Sequence, residues 1–210
     1  MLRRVVVVDD HPAVRNGVAQ MLGDSYAGLK VDMADSAPAL LDALSAGHCD
    51  LVILDLSMPG RGGLDIIRQI KDMTPATAIL VYTMYPEDQF GVRALRAGAD
   101  GYLTKDRPQE ELIEAARRID SGKRYITPAL AESLANYISE PAGGSLHELL
   151  SDREFQILRL LASGKTPTDI ANDLHLSIKT ISTYRTRILT KLNLHTTADL
   201  IRYALEQKLA

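Results

Sequence analysis

The chain has 210 residues, of which 46% are hydrophobic and 24% are charged, with a net charge of −3. These values allow one or two domains and are ordinary for a soluble globular protein. The single cysteine, Cys49, excludes an internal disulfide and fits a reducing compartment. Because no basic segment precedes a long apolar stretch, the sequence predicts no signal peptide, no membrane span and a cytoplasmic location.

Short apolar runs alternate with helical patterns over the first 120 or so residues. The predicted strands are Arg4–Val8, Lys30–Ala34, Leu51–Asp55, Ala78–Thr83 and Gly101–Thr104. The predicted helices between and after them are Pro12–Leu22, Ala37–Ala46, Gly63–Asp72, Glu87–Ala97 and Gln109–Asp120. Five strands that alternate with five helices indicate βαβ units, so we expect a five-stranded, doubly wound parallel sheet.

Carboxylates stand at the ends of two of these strands. Asp9 and Asp10 follow four valines, and Asp55 follows another apolar run. In a doubly wound sheet, ligands bind in the crevice at the carboxyl ends of the strands. Three carboxylates gathered there would repel one another unless a cation joined them, and paired hard oxygens suit Mg²⁺. The sequence therefore predicts a magnesium site on the α/β domain.

A junction follows the fifth predicted helix. Thr127 and Pro128 fit the N-cap and first position of a short amphipathic helix that runs through Ile138. Residues 140–145 are rich in turn-forming residues and form the predicted linker core. The expected organisation is a first domain at 1–122, a linker with a short helix at 123–146 and a second domain at 147–210.

The last 64 residues show four helical patterns. Ser151 and Glu154 form a capping box for the first, Thr166 caps the second, and Ser177 caps the third, which runs from Ile178 to Leu192. The fourth is predicted from Ala198 to about Lys208. Two short helices joined by a tight turn, the second of them basic, are typical of a helix-turn-helix.

The third of these helices is the candidate for DNA contact. Residues 1–146 carry 15 Lys and Arg against 20 Asp and Glu, a net charge of −5, whereas residues 147–210 carry 9 against 7, a net charge of +2. With Ile181 at the centre of the buried face, beside Ile188 and Leu192, the outward face carries hydroxyls and cations and no acid. Hydroxyls reach base edges, and cations bind phosphate. An ordinary solvated face is the alternative, and the absence of acids argues against it.

At this point two sets of residues resemble known domains. Residues in the order expected on five βα units resemble the receiver domain of two-component response regulators: Asp9, Asp10, Asp55, Thr83 and Lys105. Residues 150–154, 169–171, 176–181 and 191–192 resemble the LuxR-type helix-turn-helix. Together they are similar to the NarL/FixJ class over nearly the whole chain apart from the linker. The resemblance implies a flavodoxin-like receiver followed by a small all-α, four-helix helix-turn-helix domain.

The resemblance also implies roles for the receiver residues. Asp55 would be the nucleophile that takes a phosphoryl group from a phosphohistidine of a cognate sensor histidine kinase. Asp9, Asp10, Asp55 and the backbone carbonyl of Ser57 would hold Mg²⁺. Lys105 would pair with a phosphoryl oxygen. As the switch, Thr83 would turn its hydroxyl toward the phosphoryl group and Tyr102 would follow inward.

In the second domain, matching residue by residue places base-reading positions at Ser182, Thr183 and Thr186. Lys179, Arg187 and Lys191 resemble phosphate contacts, and Thr180 belongs to the same DNA-binding set. Because no Arg or Asn stands among the readers, we expect DNA shape and paired half-sites to supply part of the discrimination.

The sequence departs from the family pattern at several positions. Met84 stands where many receivers carry a small residue, which puts the rate of phosphoryl hydrolysis and phosphorylation by small donors in question. Pro167 and Thr168 replace the usual Asn-Lys, Asp169 replaces Glu, and Tyr184 stands where the family often has His.

The expected function is a phosphorylation-controlled transcription regulator that forms a homodimer on promoter DNA when activated. A small apolar face on the last helix, formed by Leu200, Tyr203 and Ala204, is expected to pair two output domains. RNA polymerase is a candidate partner, and no membrane partner is expected. The alternative is a constitutive DNA-binding regulator whose receiver serves only as a dimerisation scaffold.

Two enzyme classes fit less well. A haloacid-dehalogenase-type phosphohydrolase needs an acid two residues after its nucleophile, and this chain has Ser57 there. A dinucleotide-binding enzyme needs a glycine-rich turn after the first strand, where Asp9 stands instead. We therefore expect no turnover enzyme, apart from slow hydrolysis of the protein's own phosphoryl group.

Overall fold

The structure is a computed structural model that describes residues 1–58, 62–139, 146–174, 176–207 and 209. The chain forms two compact units, Met1–Glu140 and Pro141–Ala210. The predicted linker core at 140–145 lies outside the described residues, and the predicted domain limits stay predictions. Within the described part of the chain, no helix combines the length and apolarity needed to cross a membrane.

The first unit contains a five-stranded parallel sheet, as the sequence predicts. Its strands are β1 (Arg4–Val8), β2 (Lys30–Ala34), β3 (Leu51–Leu54), β4 (Ala78–Thr83) and β5 (Gly101–Thr104). Their order in the sheet is β2-β1-β3-β4-β5. The central strands β1 and β3 are buried apolar runs because helices cover both faces of a doubly wound sheet.

Among the residues described in the first unit, the helices are α1 (Pro12–Ser25), α2 (Ala37–Ser45), α3 (Gly63–Met73), α4 (Glu87–Ala97), α5 (Gln109–Asp120) and α6 (Pro128–Ser139). Apolar residues of α1 and α5, among them Leu22 and Leu112, share one core cluster with Val5 and Val7 of β1. α3 contacts α4, and α6 packs on α4. α1 continues three residues past its predicted end at Leu22.

The register of the sheet brings two loops together. Val8 of β1 is paired with Leu54 of β3, so the residues that follow these strands leave the sheet at the same level. The Asp55 backbone N–H donates to the Val8 carbonyl at 2.9 Å. β3 therefore ends at Leu54, one residue before its predicted end, and Asp55 begins the loop. The chain order reverses between β1 and β3, which is the point where such sheets bind ligands.

The regular elements that the structure describes in the second unit are all helices. After a short 3-10 helix (Leu146–Leu149) come α7 (Asp152–Ala162), α8 (Pro167–Asp173), α9 (Ile178–Leu192) and α10 (Thr197–Glu206). The capping boxes at the starts of α7 and α8 and the Ser177 cap of α9 confirm the predicted helix starts. α10 begins one residue before its predicted start and ends at Glu206, while Lys208 lies outside the described residues.

The core of the second unit corrects the expected role of the last helix. Ile181, Ile188 and Leu192 of α9 are buried, as the helical pattern predicts. Leu200 and Ala204 of α10 are also fully buried. The prediction that Leu200 and Ala204 belong to a surface that pairs two output domains is therefore wrong, because both side chains are enclosed within the unit, where α10 contacts α7. Tyr203, the third residue of the predicted face, is half-buried.

Candidate functional site

Acidic side chains meet at the carboxyl ends of β1 and β3. Asp9 and Asp55 are 3% and 2% exposed. Asp10 and His11 join them, and one ligand atom from each of these four residues lies within 4.8 Å of the others. The carboxylates that follow two different strands thus form one cluster at the strand-order reversal, as the sequence predicts.

Lys105 bridges two of these carboxylates. Its Nζ lies 2.6 Å from Asp9 Oδ2 and 2.5 Å from Asp55 Oδ2. The Lys105 backbone N–H donates to the Thr83 carbonyl at 2.8 Å. This bond continues the pairing of β4 with β5 and places Lys105 at the carboxyl end of β5. Burial alone would lower the pKa of Lys105, but the hydrogen bonds and charges of Asp55 and Asp9 outweigh burial and raise this pKa. The cluster therefore contains a charged, enclosed ammonium.

The loop after β3 orients the Asp55 carboxylate. The Ser57 backbone N–H donates to Asp55 Oδ1 at 2.9 Å. The Ser57 hydroxyl oxygen lies 3.2 Å from the hydroxyl oxygen of Thr83, a residue that is fully buried at the end of β4. Thr83 is thus next to the cluster, as the resemblance implies, and a hydroxyl contact joins it to the loop that contains Asp55.

Tyr102 already lies inside the first unit, so the inward movement on phosphorylation that the resemblance implies is not needed to bury it. It is fully buried, and its hydroxyl donates to the Tyr85 carbonyl at 2.9 Å. Burial, with the nearby charges of Glu87 and Asp55, raises the pKa of Tyr102 well above its usual value. The phenol is therefore a neutral donor, and it ties β5 to the loop between β4 and α4.

The residues of the cluster fit a hard divalent cation. Asp10 Oδ1 is buried and has no hydrogen-bond partner among the residues that the structure describes. His11 Nδ1 lies 2.8 Å from this oxygen and would form an ion pair with it if the imidazole were protonated. A buried carboxylate oxygen without a donor is costly unless a cation reaches it. Carboxylate oxygens are also the ligands that Mg²⁺ prefers.

Two further residues lie near the cluster. His11 is the N-cap residue of α1, and its ring borders the carboxylates. Met84 follows Thr83 and is 64% exposed. Its side chain is therefore available at the surface beside the site, where the family often has a small residue.

The outward face of α9 carries the predicted DNA contacts. The exposed members are Lys179, Ser182, Thr183, Thr186, Arg187 and Lys191, and Thr180 is half-buried. The hydroxyls of Thr183 and Thr186 donate to carbonyls one turn earlier, at 3.0 and 3.1 Å. Thr180 is held in the helix cap, because its backbone N–H donates to the Ser177 hydroxyl.

Lys191 has a partner that the sequence analysis missed. Its Nζ lies 2.7 Å from Oε2 of Glu154, a side chain that is 4% exposed, and it also donates to the Leu149 carbonyl at 3.1 Å. The ion pair joins residues 37 positions apart. Helical periodicity does not predict such a contact, because it indicates only that Lys191 lies on the surface of α9.

Comparison with known proteins identifies both units. The family model for the response regulator receiver domain matches residues 5–117, and that for the bacterial regulatory proteins of the luxR family matches residues 148–204. The oxygen regulatory protein NreC of Staphylococcus carnosus is 36% identical over 98% of both chains. The response regulator GacA of Pseudomonas aeruginosa is 38% identical over 94% of this chain and 92% of its own.

Solved structures of response regulators are also similar to this chain. RcsB from Salmonella enterica serovar Typhimurium, bound to promoter P1flhDC in the presence of the phosphomimetic BeF3−, has a TM-score of 0.60 at 28% identity and covers 97% of this chain and 98% of its own. A LuxR-family response regulator from Aurantimonas has a TM-score of 0.60 at 33% identity and covers 67% of this chain and 100% of its own. The chain therefore belongs to the two-component response regulators of the NarL/FixJ type, with a receiver domain and a LuxR-type DNA-binding domain.

Proposed function

We propose that Asp55 accepts a phosphoryl group from a phosphohistidine of a cognate sensor histidine kinase and that this modification controls promoter binding by α9. The observation that carries the proposal is the enclosure of Asp55 beside two further carboxylates and Lys105 at the strand-order reversal. In the transfer, the P–N bond of the phosphohistidine breaks while a P–O bond forms to an Asp55 carboxylate oxygen. An exposed lone aspartate would lack the charges that position and stabilise the transferred group.

The acidic cluster is our proposed magnesium site. Asp9, Asp10, Asp55 and the Ser57 carbonyl would hold the ion, and the clustering of the three carboxylates within 4.8 Å supports this set. Bound Mg²⁺ neutralises charge on the oxygens of a phosphoryl group in transfer. Lys105, which already contacts Asp55, supplies a second positive charge to a phosphoryl oxygen.

The proposed switch uses Thr83 and Tyr102. An added anion at Asp55 attracts the Thr83 hydroxyl and so favours the arrangement of the loop between β4 and α4 in which Thr83 and Tyr102 are both hydrogen-bonded to Tyr85. A local change of charge thereby biases an element with two arrangements. A shift from about 1% to about 99% active requires a differential free energy of ~5.5 kcal/mol, so we expect dimerisation and DNA binding to contribute.

The output of the switch is DNA binding by the second unit. Ser182, Thr183 and Thr186 are the proposed base-reading residues, and Lys179 and Arg187 are the proposed phosphate contacts. RcsB structures with promoter DNA and with two dimers on two parallel DNAs support a dimer as the bound form. We propose a homodimer on an inverted or direct repeat in the cytoplasm, with RNA polymerase as a further candidate partner.

A turnover enzyme is not proposed. Ser57 occupies the position of the acid that a haloacid-dehalogenase-type phosphohydrolase needs. The second candidate function is a constitutive DNA-binding regulator whose receiver serves only as a dimer scaffold, and the complete set of acids beside Lys105 favours the regulated form over it.

The test is to treat the full-length protein with acetyl phosphate and Mg²⁺ and to separate the products on a Phos-tag gel. We expect a retarded band in the parent and none in Asp55→Asn, with peptide mass spectrometry placing the phosphoryl group on Asp55. A parent protein that stays unmodified would leave only the constitutive alternative.

A further inference from the structure

Helix α6 packs along α4 through three contacts, which follow one another in the same order along both helices. At the start, the Thr127 hydroxyl donates to Glu87 Oε1 at 2.7 Å and accepts from the Leu130 backbone N–H at 3.1 Å. At the far end, the Arg96 guanidinium lies 4.6 Å from the centroid of the Tyr137 ring. The two helices are therefore in contact over most of their length.

The middle contact joins Leu130 of α6 to Gly91 of α4. Leu130 is 1% exposed, and a Cβ atom on Gly91 of α4 would lie 2.6 Å from its Cδ1. Only glycine leaves this room, so the Leu130 side chain fills a gap in the surface of α4. A buried leucine that fits into a backbone gap fixes the separation and register of two helices. Movement of α4 consequently changes its fit with α6.

α4 is also connected to the acidic cluster. The Tyr85 ring stacks on Phe90 of α4, with ring centroids 4.6 Å apart. The backbone of Tyr85 is held from two sides, because its N–H donates to the Thr83 hydroxyl and its carbonyl accepts from Tyr102. A continuous set of contacts thus runs from the Asp55 loop through Thr83 and Tyr85 to α4.

We propose that α6 is a built-in ligand of the α4 surface whose binding there is coupled to the phosphoryl state of Asp55. The inference rests on the proposed phosphorylation of Asp55. The arrangement that α6 contacts already holds the Thr83 hydroxyl 3.2 Å from the Ser57 hydroxyl, on the side of the cluster. Because an anion on Asp55 attracts that hydroxyl, anion binding and the contact between α6 and α4 strengthen each other.

The coupling gives α6 a place in signal transmission. α6 is the last helix described in the first unit and precedes the DNA-binding unit along the chain. Coupling is reciprocal for binding equilibria. Variants that weaken the α4–α6 contact must therefore also weaken anion binding at Asp55, although none of the substituted residues touches the acidic cluster.

The experiment is hydrogen–deuterium exchange on the full-length protein in Mg²⁺, with and without BeF3− as the phosphoryl mimic. We expect BeF3− to slow exchange of the α6 amides about fivefold, the low end of the usual range for coupled sites. Protection of residues 51–58 in the same samples reports binding at Asp55. Protection there with unchanged exchange in α6 overturns this inference alone, whereas no protection at 51–58 refutes the proposed function with it.

Three variants complete the test. Leu130→Ala and Thr127→Val remove two separate α4–α6 contacts, and we expect each to raise the half-saturating BeF3− concentration about fivefold. Ile138→Ala is the matched control because it shortens an apolar side chain on the same helix that is 73% exposed. We expect it to stay within about twofold of the parent. Parent-like BeF3− affinity in both contact variants would overturn the coupling, and Thr127→Val preserves the test if Leu130→Ala does not fold.

Discussion

Lys191 at the end of α9 forms an ion pair with Glu154 in the first turn of α7, with Nζ 2.7 Å from Oε2. Glu154 also completes the α7 capping box, since its carboxylate accepts from the Ser151 backbone N–H at 2.8 Å. Lys191 therefore fixes α9 against the start of the domain, while Lys179 and Arg187 belong to the exposed outward face.

The salt dependence of DNA binding separates these roles. Each phosphate contact contributes about −0.9 to the slope of log affinity against log salt concentration. We expect Lys191→Met to weaken DNA binding with little change in this slope and Arg187→Met to make the slope shallower by about 0.9. Fluorescence anisotropy of labelled DNA at several salt concentrations gives both values. A slope change of about one unit in Lys191→Met would show that Lys191 contacts phosphate directly.

The same ion pair predicts how the second unit responds to acid. Burial alone would raise the pKa of Glu154, but hydrogen bonds from Lys191 and Ser151 lower this pKa below its usual value of 4.5. The stabilisation is thus complete above pH 4.5 and is lost as the pH falls through the lowered pKa of the folded state. We expect exchange of α7 amides to rise over that interval in the parent and less in Glu154→Gln. Equal acid responses would contradict this assignment.

Leu200 tests the corrected position of α10. Because its side chain is fully buried between helices of the second unit, Leu200→Ala should lower the free energy of unfolding by about 2–5 kcal/mol. Leu205→Ala on the same helix removes a side chain that is 57% exposed and should change stability by less than about 0.5 kcal/mol. Urea unfolding of the full-length variants measures both. Parent-like stability in Leu200→Ala would restore the surface role predicted from the sequence.

Much of the fold is local enough to predict from the sequence. Apolar runs bounded by turn residues define the strands, and the Ser151 and Thr166 capping boxes require only residues three positions apart. The residues of the acidic cluster are also predictable, because parallel strands end at one edge of their sheet. Thr127 is predictable as a helix cap for the same local reason.

Contacts between distant segments were not predictable in this way. The partners of Lys191 and Thr127 are Glu154 and Glu87, which lie 37 and 40 residues away along the chain. No periodic pattern selects one acid among many as a partner. Leu200 shows a related limit. The apolar residues of a helix have the same spacing whether they pack against their own domain or against another subunit.

Tyr102→Phe tests the connection between the acidic site and the loop before α4. The substitution removes the hydroxyl that donates to the Tyr85 carbonyl, and we expect a loss of about 1 kcal/mol in stability. The phosphorylated fraction on a Phos-tag gel should stay near that of the parent, because the hydroxyl does not touch Asp55. The gain in DNA affinity on phosphorylation should be smaller. If phosphorylation raised the DNA affinity of this variant as much as that of the parent, Tyr102 would not be part of the switch.

The most direct measurement of the central claim is the ratio of DNA dissociation constants without and with acetyl phosphate in the presence of Mg²⁺. For the parent protein, we predict that phosphorylation tightens binding about tenfold or more, which corresponds to about 1.4 kcal/mol. For Asp55→Asn, whose side chain has the same shape but lacks the nucleophilic carboxylate, we predict a ratio of about one. Equal tightening of DNA binding in the two proteins would contradict control through Asp55.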